Sequence, residues 1–107
     1  MEKSITIVMP AYNHEKYIEA CLWSVANQNC NEMELIILDD CSKDKTREMI
    51  EKTIVQEKFC KRFSMGVRFI PHTENRGAHD TINEGLMMAK GNFLAVINTD
   101  DIFGENH

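Results

Sequence analysis

The chain has 107 residues, with 12 basic against 17 acidic side chains, a net charge of −5, and 43% hydrophobic residues. That balance describes one folded domain, burying roughly 65% of its unfolded surface, and argues against disorder. Acidic net charge without a Lys/Arg block is the wrong sign for a nucleic-acid partner, and no apolar run approaches the ~20 residues of a membrane span.

In chain order, Ile5 to Met9 is a β-branched run closed by Pro10, which reads as a first strand. Asn13 is placed to cap a helix carrying Tyr17, Ile18, Cys21, Leu22 and Val25 on one stripe. Asn27 to Glu32 is polar and reads as a loop, and Met33 to Leu38 as the second strand. Ser42 and Asp44 offer caps for a second helix with Met49, Ile50 and Ile54 facing inward, expected to run to about Lys58. Phe59 to Gly66 is basic and irregular and takes no assignment. Val67 to Ile70 reads as a third strand stopped by Pro71, and His72 to Gly77 as a loop. A third helix follows, with Ile82, Leu86 and Ala89 inward and Gly91 expected to end it in a left-handed conformation. Phe93 to Ile97 is the fourth strand. Four strands alternating with three helices predict an α/β, Rossmann-like parallel sheet built from right-handed βαβ units.

Two of these strands end in paired aspartates, Asp39-Asp40 and Asp100-Asp101. Ligands of open α/β sheets bind beyond the carboxyl ends of the strands. Carboxylates gathered there repel one another unless a cation or a set of donors balances them. The first strand-to-helix turn is Pro10-Ala11-Tyr12-Asn13-His14, with no glycine, so neither a G-x-G-x-x-G dinucleotide turn nor a P-loop is present. Phosphates at this edge would need a cation, and Asp100 and Asp101 could hold Mg²⁺ or Mn²⁺. Asp39 and Asp40 could accept hydrogen bonds from a base or sugar, or cap the next helix. Arg76, in Asn75-Arg76-Gly77, could face a phosphate or be a solvated surface side chain. Cys21, Cys30, Cys41 and Cys60 show no C-x-x-C spacing and the histidines are scattered, so no zinc site is supported. The N-terminus has no signal-peptide pattern, and free thiols in a reducing cytoplasm are expected.

Taken together, Pro10-x-Tyr12-Asn13, Ser24-Val25-x-x-Gln28, Asp39-Asp40-x-Ser42-x-Asp44-x-Thr46, Asn75-x-Gly77, Asn83-x-Gly85, Ala89-x-Gly91 and Asp100-Asp101 occur in order. They closely resemble the nucleotide-binding half of family 2 glycosyltransferases, which have the GT-A fold. The resemblance covers essentially residues 1–107 and implies the donor-binding half of a nucleotide-diphospho-sugar transferase, with inversion at the anomeric carbon. It implies that Pro10, Ala11, Tyr12, Asn13, Asp39, Asp40, Arg76 and Asp100 contact a nucleoside diphosphate sugar, a UDP-sugar being the first guess. Asp100 and Asp101 would hold the Mn²⁺ or Mg²⁺ at the Asp-x-Asp locus.

Three departures stand out. Asn98 replaces a frequent aspartate, and Thr81-Ile82-Asn83 replaces a frequent Ala-Arg-Asn, removing a positive donor contact. The family's acceptor half, which supplies the general base, would lie beyond His107, so the 107 residues are expected to bind the donor without transferring sugar. In the fold the chain resembles, the strands run in the order 3-2-1-4 and later strands cover the fourth, so these 107 residues alone are expected to leave Phe93 to Ile97 as an exposed edge open to self-association. The full-length protein is expected in the cytoplasm or associated with a membrane. Two alternatives compete with this reading: a non-catalytic nucleotide-sugar-binding module, and a signalling receiver domain. The receiver is disfavoured because the first strand ends in Pro-Ala-Tyr rather than an acidic pair.

Overall fold

The structure, a computed structural model, describes residues 4–28 and 32–97. Its elements are β1 (Ser4–Ala11), α1 (Ile18–Ala26), β2 (Glu32–Asp39), α2 (Thr46–Ile54), α3 (Glu57–Cys60), β3 (Val67–Pro71), α4 (Ala78–Met88) and β4 (Phe93–Val96). The four strands form one sheet in the order β3-β2-β1-β4, as the resemblance implied. All pairings are parallel. β1 and β2 run in register from Ser4 opposite Glu32 to Ala11 opposite Asp39, while β3 and β4 cover only part of their neighbours.

Strand alternation divides the core in two. One face carries Ile7, Met9, Leu35 and Ile37 against Ile18, Cys21, Leu22 and Val25 of α1, Ile50 of α2 and Phe59. The other carries Val8, Ile36 and Leu38 against Leu86 and Met88, at and near the end of α4. Full burial of each such aliphatic side chain contributes about 1.5–3 kcal/mol over exposure. β2 is apolar on both faces because it is central, whereas β3 and β4 are edges and stay only partly covered.

Several local expectations need correction. Asn13 does not cap α1; it has φ 53°, and the helix starts five residues later with Tyr17 outside it and 46% exposed. The second helix stops at Ile54, and a separate single turn, α3, follows, so four helices replace the expected three. The unassigned 59–66 segment contributes core: Phe59 lies edge-on to Trp23 and tilted against Phe63, at 5.2 Å in each case. β3 includes Pro71, which an edge strand tolerates because its missing N–H takes no ladder bond. Gly91 is not left-handed. A Cβ there would lie 2.7 Å from the Thr6 nitrogen and 2.9 Å from the Ile5 carbonyl carbon, so the glycine is required by close backbone approach. Ala89, expected to face inward, is the residue after α4, and the buried helix positions are Thr81 and Gly85. β4 is four residues long; Ile97 still donates its N–H to the Val8 carbonyl at 3.0 Å.

Candidate functional site

The loops leaving β1 and β2 meet at the carboxyl edge of the sheet and are fastened to each other by polar groups. Asp40 N–H donates to the Ala11 carbonyl at 2.9 Å, so the strands stay paired to their ends. Beyond that point, Asn13 N–H donates to Ser42 Oγ at 3.0 Å, and Asn13 Oδ1 accepts from Lys43 N–H at 2.8 Å. Glu15 Oε1 accepts from Lys45 N–H, while Asp44 takes the N–H groups of Glu15 and Thr46. His14 N–H reaches Thr46 Oγ1 at 2.8 Å. Asn13 and Cys41 both occupy the left-handed region, which tightens the two turns toward one another. The N-cap of α2 is Lys45, without a side-chain cap hydrogen bond, so neither Ser42 nor Asp44 takes the capping position; Asp44, one residue earlier, accepts the N–H of Thr46, the first residue of the helix.

The paired aspartates diverge because adjacent residues point to opposite faces. Asp39, 1% exposed, accepts a short hydrogen bond from Ser42 Oγ. Burial raises its pKa, and the Ser42 hydrogen bonds offset this only in part. Asp40 turns to the α4 side, where Oδ1 accepts from His72 Nδ1 at 2.9 Å and Arg76 N–H at 2.8 Å, and Oδ2 from Gly77 N–H at 2.9 Å. Burial pushes its pKa up, but those donors outweigh it and hold the carboxyl below the usual range. His72 Nε2 lies 2.8 Å from Glu84 Oε1 on α4, and the Arg76 guanidinium stands 3.5 Å from the same oxygen. Thus the Asp39 carboxylate is bonded by Ser42, which in turn accepts from the β1 loop, whereas both oxygens of Asp40 are taken up by the loop that follows β3.

Of the remaining expected site residues, Pro10 and Ala11 are buried at the end of β1, and Tyr12 stands 41% exposed just beyond. Asp100 and Asp101 lie outside the described residues. Among the described residues no group of three or more His, Cys, Asp or Glu side chains could hold a metal ion. Thr81 Oγ1 is buried with no partner among the described residues. No helix is long and apolar enough to cross a membrane.

The model of "Glycosyl transferase family 2" matches residues 6–107. The chain belongs to that family. It is 33% identical to the glycosyltransferase GlyG of Streptococcus pneumoniae over 99% of this chain and 33% of the relative. With a putative teichuronic acid biosynthesis glycosyltransferase, TuaG, of Bacillus subtilis it shares 34% over 91% of this chain and 36% of the relative. The chain spans about a third of the length of the curated relatives it matches. Among solved structures, Staphylococcus aureus TarS in complex with UDP-GlcNAc superposes with TM-score 0.75 at 29% identity, covering 91% of this chain and 26% of that one. The mannosyltransferase PcManGT of Pyrobaculum calidifontis reaches TM-score 0.81 at 22% identity, over 94% of this chain and 28% of that one. The sheet and its crossovers are therefore those of GT-A glycosyltransferases.

Within this family 2 domain, sequence reading missed His72 and Glu84. A signal existed: His72 follows β3 at the position whose alternation places it on the Asp40 face. Ser42, Asp44 and Thr46 were visible as a motif, but their partners on the first loop lie about 30 residues away and carry no local pattern.

Proposed function

We propose that the carboxyl edge of this sheet binds a nucleoside diphosphate sugar, and that the whole protein transfers the sugar to an acceptor with inversion. The observation that carries the reading is the fastening of the Pro10–Asn13 turn to Asp39 through Ser42, which holds a buried carboxylate and the exposed Tyr12 on linked loops at one sheet edge. Tyr12 supplies a stacking surface and Asp39 an acceptor for a base, with Arg76 on the neighbouring loop toward the diphosphate. The complex of the related TarS with UDP-GlcNAc makes a uridine nucleotide the first ligand to test. Asp39 and Asp40 are engaged by protein donors, so Asp100 and Asp101, at the end of the fourth strand run, are the residues proposed to hold Mn²⁺ or Mg²⁺. When bound, such an ion supplies positive charge to the departing diphosphate. The chain's own residues hold the base and shape the turn beneath it.

Calorimetric titration with UDP, with and without Mn²⁺, tests this. Asp39→Ala is expected to weaken binding in both conditions, and Asp101→Ala to remove the metal dependence. A folded sample that binds no UDP at millimolar concentration with either metal would overturn the assignment.

A further inference from the structure

Asp40 and His72 form a buried, hydrogen-bonded pair at the base of the β3–α4 loop. Asp40 is 6% exposed and His72 5%, and the ring bridges two carboxylates, Asp40 on one side and Glu84 on the other. The same Asp40 carboxylate accepts the backbone N–H groups of Arg76 and Gly77. Gly77 has φ 89° and immediately precedes α4, so these donations fix the turn through which the chain enters the helix. The base of the loop is tied to the site as well: His72 N–H donates to the Asp39 carbonyl at 2.8 Å, and Pro71 stands opposite Asp39 in register. With the amides of residues 76 and 77 turned inward, the Arg76 side chain is left half exposed, its guanidinium 3.5 Å from Glu84.

We infer that Asp40 and His72 are positioning residues for Arg76: the Asp40 carboxylate, oriented by His72, holds the β3–α4 loop so that the half-exposed Arg76 side chain is presented at the carboxyl edge of the sheet. This rests on the donor-site reading above and assigns the two neighbouring aspartates different work. Asp39 faces the nucleoside, and Asp40, whose oxygens already receive three donors, touches no ligand. Three of the roughly four acceptor sites of the Asp40 carboxylate are taken, and the group is buried, so at most one is left and solvent access to it is small.

Two substitutions at one position separate positioning from packing. His72→Asn keeps an amide nitrogen near the place of Nδ1, facing Asp40, and gives up the Glu84 contact. His72→Gln keeps one near the place of Nε2, facing Glu84, and gives up the Asp40 contact. UDP affinity is measured by calorimetry, and loop order by hydrogen exchange of the Arg76 and Gly77 amides. His72→Gln is expected to lower UDP affinity by about tenfold, the size of losing one charge-assisted hydrogen bond, and to speed exchange of both amides. His72→Asn is expected to restore most of the affinity and protection. Arg76→Ala should lower affinity as His72→Gln does, and the double variant no further.

Equal losses in His72→Asn and His72→Gln would show a packing role and overturn the proposal, as would faster amide exchange with unchanged affinity. Absence of UDP binding by the unaltered chain would instead overturn the donor-site reading. The exchange data would then still report whether Asp40 and His72 hold the loop.

Discussion

Asp39 and Asp40 are adjacent in sequence and opposite in electrostatics. Burial makes the ionised form of Asp39 costly, so its contribution favours the fold below the ordinary carboxylate value, about 4, and is lost as pH rises through its raised folded value. Asp40 runs the other way. Its lowered pKa, set by burial outweighed by donors, contributes stability that is in place above about 4 and is lost as pH falls through the folded value. Thermal unfolding followed by circular dichroism between pH 3 and 7 is therefore expected to show Asp39→Asn melting above the unaltered chain at neutral pH, with the gap closing on acidification. Asp40→Asn should melt below it at neutral pH. An Asp39→Asn variant no more stable at pH 7 would show that this buried carboxylate costs nothing. A third buried carboxylate, Glu34, is satisfied at the opposite end of the sheet by Arg68, Thr6 Oγ1 and Lys90 N–H. Arg68→Met leaves it without its cation, and breaking a buried pair costs about 3–5 kcal/mol. The low end is expected, since Arg68 is 35% exposed. Denaturant unfolding checks this, and Glu34→Met combined with Arg68→Met should lose less than Arg68→Met alone.

At the scale of elements, the connection from α4 to β4 depends on what it passes over rather than on how the helix ends. Gly91 N–H donates to Thr6 Oγ1 at 2.8 Å and Asn92 N–H to Ser4 Oγ at 2.9 Å, drawing the loop onto β1 too closely for a side chain. Gly91→Ala would drive a methyl into β1 backbone, which cannot swing aside as a side chain can. Overpacking of this kind costs about 1–3 kcal/mol, and a matching drop in the denaturant midpoint is the expected result. Unchanged stability would mean that the loop can lift off β1 freely. Similar logic explains why α2 stops early: the chain must turn after Ile54 to bring Phe59 and Phe63 under Trp23, and Arg62 Nε donates to the Ala26 carbonyl at 2.7 Å, at the end of α1. Helical periodicity around Lys58 gives no warning of that turn, because the reward for it is a tertiary contact.

For the whole molecule, the two edges of the sheet are protected unequally. β3 carries Arg68 and Pro71, both of which discourage pairing with another strand. β4 has neither, and Phe93, Leu94 and Val96 are 54%, 53% and 39% exposed. The 107-residue chain is accordingly expected to self-associate through this edge, with sedimentation at rising concentration showing an increasing mass. Val96→Lys should reduce it. A concentration-independent monomer mass at high micromolar protein would rule out edge pairing.

The sequence by itself determined the four strands, their parallel order once the family was recognised, and the gathering of Tyr12, Asp39 and the Arg76 loop at one edge. Those features follow from local pattern: apolar runs, turn residues and strand alternation are written over a few consecutive positions. Only the tertiary structure decided that Asn13 fastens two loops instead of capping a helix, that Gly91 answers to β1, and that Asp40 belongs to His72 and the Arg76 loop. The physical reason is common to all three. Each depends on a polar group or backbone finding its partner about 30 to 90 residues away, a pairing that no local window contains.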